Sequence, residues 1–405
     1  MIGAGHSGLA KSRCLTERGI DHVLLERGEI GNSWRRERWD NFRLLTPSWQ
    51  TRLPGLSRPG GDAPDGYRTA GELVTLLERY AQDIAAPVEQ GTHVRHVRAG
   101  DGRFEIETNG GIWRARSVVI ASGANNRPVV PALASELDAR IHEVTPLTYR
   151  SPDQLPAGGV LVVGASASGV QIAQELLLAG RQVTVSVGEH VRVPRTYRGR
   201  DILWWMDATG LHGQRYEEVD DIRRARSLPS FQLSGVQQGA SVDLNTLREN
   251  GARIVGRLGA ISGTTAKFSG SLRNVCALAD LKMNRLLSLI DVWIAEQGIE
   301  GEVLPAHQPA RTIVDPEPVL SLDLARERVG SVVWATGYRP DFSWLELPVF
   351  DRKRRILHDG GVLPVSGAYL MGMPFLRRRN SGLIDGAGAD ARDLADHMVG
   401  YLSGR

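Results

Sequence analysis

Cysteine is nearly absent from this 405-residue chain, and the two that occur, Cys14 and Cys276, lie far apart and form no C-x-x-C. That spacing excludes a disulfide framework and a dithiol redox pair, and it sets a reduced, cytoplasmic compartment as the expectation. Excess charge of one sign is missing too. Lys+Arg 49 against Asp+Glu 46 leaves only +3, so nothing here builds a nucleic-acid surface. The basic runs at 352–355 and 377–379 read as solvated loops. No apolar run approaches the ~20 residues of a membrane span, and no charged leader with an apolar stretch precedes the first motif. His142, His190 and His307 lack metal-ligand spacing, and no carboxylate pair stands out as an acid/base device, so no metal is expected.

What is abundant is glycine, and two glycine loops of one type carry the argument. The first is Gly3-Ala4-Gly5-His6-Ser7-Gly8. In it Gly3 allows the tight turn, Gly5 lets the backbone approach a diphosphate, and Gly8 lets helix pack on strand. Glu26, 18 residues past Gly8, closes the strand 22–26 where a carboxylate accepts from an adenosine ribose. His6 and Ser7 are read as loop residues donating hydrogen bonds rather than as catalytic groups. Only Met1 and Ile2 precede Gly3, so we expect a few residues of the first strand to lie upstream of this start.

The second loop, Gly164-Ala165-Ser166-Ala167-Ser168-Gly169, follows the buried-strand run 160–163 and leads into a helical stretch. Its resemblance to a nucleophile elbow fails, because Ser168 stands where the last glycine of G-x-S-x-G is required. After the partner strand 182–187 comes Ser186 and no carboxylate, then Arg192, Arg195, Arg198 and Arg200. Arginine forks suit phosphate, which favours NADPH over NADH here; a plain basic surface loop is the alternative. Two dinucleotide sites in one chain bring a nicotinamide to a flavin.

Between the loops, 72–84 has helical spacing, and runs near 94–97, 104–107 and 113–120 suggest a strand meander. Residues 201–226 and 271–297 read as mostly helical, and 253–261 as a strand. Val118 to Gly123 and Val332 to Gly337 repeat one pattern, an apolar run closed by Ala121-Ser122-Gly123 and by Ala335-Thr336-Gly337. Both should end strands that return to a dinucleotide. The expected fold class is α/β with two Rossmann-like domains: a discontinuous FAD-binding unit, 1–154 and 330–405, and an inserted NADPH-binding unit, 155–329, with a helical insertion. Trp34, Trp39 and Trp49 could wall an isoalloxazine or anchor the core. Trp204, Trp205 and Tyr216, in the segment 200–240, are a further guess for part of the pocket.

Together, Gly3 to Ala10, Leu25-Glu26-Arg27, Gly31-Asn32-Ser33-Trp34, Ala121-Ser122-Gly123 with Pro128 and Pro131, the second loop, and Ala335 to Tyr338 resemble the FAD- and NADPH-dependent flavin monooxygenases of the two-domain type. The resemblance spans nearly the whole chain. It implies bound FAD, reduction by NADPH, capture of dioxygen as a flavin hydroperoxide, and oxygen transfer to nitrogen, sulfur or a carbonyl carbon of a small molecule. It also extends cofactor contact to Arg27, Ser33 and Trp34. Departures matter. The expected histidine between the loops is Thr145, and no Phe-x-Gly stands upstream, which disfavours Baeyer-Villiger insertion. Thr46 occupies the place of an asparagine near the flavin, where its hydroxyl could bond a peroxide or merely cap a turn. Asp385, ahead of a C-terminal helix aimed at flavin or phosphate, is a candidate ribitol or cap ligand. The rivals are a reductase or uncoupled oxidase on the same fold and, more remotely, a flavin sensor. The sequence leaves the oligomeric state, including a homodimer, open.

Overall fold

The computed structural model describes residues 1–57, 63–235 and 242–404. Two parallel sheets of equivalent topology organise them. In the first, Ile2 stands between Leu24–Leu25 and Val118–Ile120, and the outer neighbours are Val88–Glu89 and Ala368–Leu370. In the second, the order is Arg253–Val255, Val183–Ser186, Gly159–Val163, Val329–Trp334, His142–Val144, every pair parallel. In both, the strand that feeds the glycine loop is central, its first partner lies on one side and the returning strand on the other. By sheet membership the second unit takes in His142–Val144 and Val329–Trp334, which the boundaries 155 and 329 leave wholly or largely with the first.

These strands form here because their residues cannot face water. Val160, Leu161 and Val162 are fully buried, as an apolar run covered on both faces should be: the helix Ala167–Leu178 lies on one face and the antiparallel strands Leu258–Ser262 and Thr265–Phe268 on the other. One helix per sheet closes the loop motif: His6–Thr16 packs against the C-terminal helix Ile384–Ser403, and Ala167–Leu178 lies on the second sheet. Helix Ala70–Asp83 starts on a capping box, the Thr69 hydroxyl accepting from Glu72 N–H while the Glu72 carboxylate accepts from Thr69 N–H. Helix Leu272–Gln297 stops at Gly298, whose φ of 66° suits a left-handed cap.

Local structure departs from the sequence reading in four places. The run 113–120 divides: Gly111–Ala115 completes an antiparallel meander with Val94–Gly100 and Arg103–Thr108, while Val118–Ile120 joins the parallel sheet. The strand expected over 253–261 breaks at Gly256, where an added Cβ would lie 1.8 Å from the Ser269 carbonyl, and Leu258–Ser262 turns into a separate antiparallel sheet. The helix expected over 201–226 is two short pieces, Ile202–Ala208 and Ile222–Arg226, because Gly210 at φ 74° ends the first. The basic run 377–379 is no solvated loop either. Arg377 and Arg378 share Asp393, Arg378 also meets Asp390, and Arg379 meets Gln214, so the run is clamped on the C-terminal helix and its neighbour.

Candidate functional site: two equivalent dinucleotide cradles

The two glycine loops are built alike to within a few tenths of an ångström. Gly3 has φ 102°, and a Cβ there would stand 2.5 Å from the Ala121 carbonyl oxygen; Gly164 has φ 112°, and its Cβ would stand 2.3 Å from that of Ala335. Gly8 and Gly169 complete each turn, since their Cβ atoms would lie 2.1 Å from Gly3 O and 2.0 Å from Gly164 O. No side chain fits at any of the four. Gly5 differs, for its backbone is ordinary extended chain (φ −79°, ψ −176°) and nothing lies within 4 Å of a Cβ placed there. Ser166 holds the same conformation at the matching place (φ −87°, ψ −173°), which is why a serine is tolerated. Neither Gly5 nor Ser166 caps its helix with a side chain, so both helices present uncapped N–H groups, the arrangement that receives an anion.

A cavity opens over the first loop. Of the residues expected there, Gly3, Gly5, His6, Ser7, Glu26, Arg27, Ser33, Trp34, Ala121, Ser122 and Gly123 all line it, and Gly8 packs just behind. Glu26 is buried and holds the loop, one carboxylate oxygen accepting from Ala4 N–H at 2.8 Å and the other from Gly28 N–H at 3.1 Å. Three hydrogen-bonding atoms in this wall are buried without a partner: His6 Nε2, Ser7 Oγ and Ser122 Oγ. An unpaired buried polar group costs roughly 1–3 kcal/mol, so the wall is built to be completed by a polar ligand. Burial pushes the His6 imidazole down to about 4, which keeps it neutral at neutral pH. A dinucleotide such as FAD fits these atoms and the open side of Gly5. Trp34 stands on the wall with its ring tilted against His6, whereas Trp39 is a core anchor in the second unit and Trp49 lies under Arg52.

The second loop differs from the first in its ribose end. Gly164 N–H bonds Ser186 O just as Gly3 N–H bonds Leu25 O, so the counterpart of Glu26 is Val187, which is fully buried. The Ser186 hydroxyl is occupied, donating to Gly256 O at 3.0 Å and accepting from Leu258 N–H at 2.9 Å. Ser168 at the start of the helix is hydrogen-bonded to Tyr338 at 3.1 Å. Ala335 abuts Gly164, the Thr336 hydroxyl donates to Val129 O, and Gly337 has φ 102°, near the 88° of Gly123.

Two of the arginines read as phosphate ligands, Arg192 and Arg195, are not available to a phosphate. Arg192 is buried between Asp243 and Asp280 at 2.6 Å from each. Arg195 is fully buried, donates to Asp201 at 2.6 Å and to Leu45 O at 2.8 Å, and lies over the Tyr67 ring. These cations balance buried carboxylates and tie the Leu45 loop to the second unit. The cation that does stand at the ribose end is Arg257, exposed, with its side chain 3.8 Å from where a Cβ on Gly188 would be.

Thr46 is buried in the loop that Arg195 holds and does not line the cavity over the first loop. Asp385 likewise points away. Arg52 takes both of its oxygens, at 2.5 and 2.7 Å, and its carboxyl is raised chiefly by burial. Trp205 is core, its indole N–H donating to Tyr197 O at 2.7 Å, and Tyr216 bonds Asp359. Of the segment 200–240, residues 236–240 lie outside the described residues. Sequence reasoning missed Arg38, Asn126, Asp341 and Gly372 in the cavity wall, which come from loops with no periodic pattern. Gly372 alone left a signal, since at φ 74° its Cβ would crowd the Ser7 hydroxyl at 2.8 Å.

Comparison with known proteins agrees with this geometry. The family described as pyridine nucleotide-disulphide oxidoreductase matches residues 1–200. An uncharacterized CzcO-like oxidoreductase of Geobacillus kaustophilus is 30% identical over 99% of this chain and 98% of its own. The chain belongs to the family of this CzcO-like oxidoreductase. An indole-3-pyruvate monooxygenase, YUCCA6 of Arabidopsis thaliana, is 32% identical over 49% of this chain and 50% of its own. The fold is also that of a flavin-containing monooxygenase from Stenotrophomonas maltophilia, with a TM-score of 0.66 over 99% of this chain and 97% of the other, at 19% identity. The two cysteines of this oxidoreductase, Cys14 and Cys276, form no C-x-x-C. Among its described residues no helix is long and apolar enough to cross a membrane.

Proposed function

We propose that this oxidoreductase is an FAD-dependent, NADPH-consuming monooxygenase acting on a small organic molecule. FAD occupies the first cradle and supplies the redox and oxygen-activating chemistry; NADPH occupies the second. The single observation that carries the reading is the duplicated loop with opposite ribose ends. Glu26 in the first offers a carboxylate to ribose hydroxyls, while Val187 in the second offers none and Arg257 stands beside it. A carboxylate repels a 2′-phosphate and a guanidinium binds it, so the second cradle suits NADPH better than NADH. The chain's own residues bind and orient: His6, Ser7 and Ser122 face the flavin cradle with unpaired atoms, and burial keeps the His6 imidazole neutral.

Oxygen goes to nitrogen or sulfur rather than into a carbon–carbon bond. Supporting this is Thr145, which stands where a Baeyer-Villiger enzyme has a histidine and whose N–H is turned onto the Thr148 hydroxyl at 3.0 Å. The test is stoichiometry. With the FAD-loaded protein, NADPH and an amine or sulfide, we expect one oxygenated product per NADPH consumed. Hydrogen peroxide in equal amount to NADPH, with no product from amines, sulfides or ketones, overturns the oxygenase in favour of an oxidase.

A further inference from the structure

Of the two arginines lining the flavin cavity, Arg27 is ion-paired with Glu37, whereas Arg38 has no carboxylate partner among the described residues. One Arg38 N–H donates to Glu37 O at 2.6 Å; the rest of the guanidinium lies over the rings of Trp34 and Phe42, 4.9 and 5.5 Å from their centroids. A guanidinium has five donors, and burying it without a counter-charge is costly. Burial indeed lowers its proton affinity. So the cation is held by aromatic faces and left short of acceptors.

The segment that carries Arg38 belongs to the first unit in sequence but is fastened to the second. Arg150 donates to Arg38 O at 3.0 Å, and Asp40 N–H donates to Arg150 O at 3.0 Å. Asn41 donates to Glu175 at 2.8 Å, on the helix that follows the second loop. Trp39 is buried in the core of the second unit with Tyr149 and Val170. Tyr338, which bonds Ser168 at the start of that helix, lies close enough for the Arg38 charge to oppose the burial that raises its phenol. Arg38 is thus a cation at the seam between the two cradles, with its backbone locked on the nicotinamide side.

We propose that Arg38 binds the diphosphate of the pyridine nucleotide at the second loop, clamping it from across the seam and so fixing the nicotinamide end against the flavin cavity. This rests on the reading of two dinucleotide sites. An arginine fork matches two phosphate oxygens at once, which a lysine cannot do. The flavin diphosphate is the competing partner, since Arg38 also lines the first cavity and stacks on Trp34, whose ring meets His6, and FAD content separates the two.

The experiment is calorimetric titration of NADP⁺ into the oxidised, FAD-loaded protein for wild type, Arg38→Gln and Arg38→Lys, with FAD content per chain read from absorbance. We expect Arg38→Gln to weaken NADP⁺ binding roughly 10- to 100-fold, the worth of a charge-assisted contact, at unchanged FAD content. Arg38→Lys should recover part of the loss. NADP⁺ binding within twofold of wild type in Arg38→Gln, or loss of FAD with NADP⁺ binding intact, overturns the clamp. Should Arg38→Gln fail to fold, Arg38→Lys decides alone: at least a threefold loss supports the clamp and wild-type binding refutes it. Failure of the wild type to bind NADP⁺ at all would instead sink the two-cradle reading beneath it.

Discussion

Gly5→Ala separates the requirements of the fold from those of the ligand. The backbone at Gly5 is extended, which any residue adopts, and an added methyl meets no protein atom within 4 Å. Removing a glycine also narrows the unfolded ensemble, so the apoprotein should keep its stability or gain about 0.4–1 kcal/mol. That methyl nevertheless stands on the face where a diphosphate must touch the backbone, and FAD affinity should fall by at least about tenfold, ~1.4 kcal/mol. Gly3→Ala is the contrast. Its φ of 102° and the Ala121 carbonyl 2.5 Å away force the loop to shift, with about 1–2 kcal/mol for the backbone strain alone. For a domain of this size that lowers the apoprotein melting midpoint by roughly 2–4 °C per kcal/mol. The assay is thermal melting of both apoproteins beside fluorescence titration with FAD. Wild-type FAD affinity in Gly5→Ala, or an equal loss of apo stability in the two variants, refutes the reasoning.

Arg192→Met should cost about 3–5 kcal/mol of stability, because Asp243 and Asp280 lose the guanidinium between them; weakened NADP⁺ binding with an unchanged melting curve would instead restore Arg192 as a phosphate ligand. Arg257→Gln should reduce the preference for NADPH over NADH roughly 10- to 100-fold in binding while leaving stability alone, and an unchanged ratio of dissociation constants removes Arg257 from the site. His6 titrates at about 4 in the fold against 6.5 free, so the folded protein binds fewer protons between these values and its stability is complete above pH 6.5 and declines as the pH falls through the window. His6→Asn should flatten that acid slope by up to one proton, about 1.4 kcal/mol per pH unit, as read from denaturant midpoints at stepped pH; an unchanged slope would mean that His6 charges freely.

Both cradles were legible in the sequence because what makes them is local. A glycine with positive φ and a second glycine that closes the turn recur as Gly3 and Gly8 and as Gly164 and Gly169, and in the first cradle the carboxylate Glu26 follows one strand later, all short-range in sequence. The run Val160 to Val163 likewise declared a strand covered on both faces. The arginines show where such reading stops. Arg192, Arg195 and Arg257 are equally plausible phosphate ligands in a string of letters, and their fates part only when the chain brings Asp243, Asp280 and Asp201 to the first two and leaves the third exposed beside Gly188. Arg38 gave no signal at all, since its meaning comes from Arg150, Asn41 and Trp39 pinning a first-unit loop to the second unit.

Backbone conformation and the absence of a Cβ are short-range properties, written residue by residue, and they determined by themselves that this chain holds two dinucleotide loops on parallel sheets. Charge is long-range and is shared out by proximity. Which cations answer buried carboxylates, which remain for a ligand, and which loop closes the seam between the cradles were decided only by the tertiary structure.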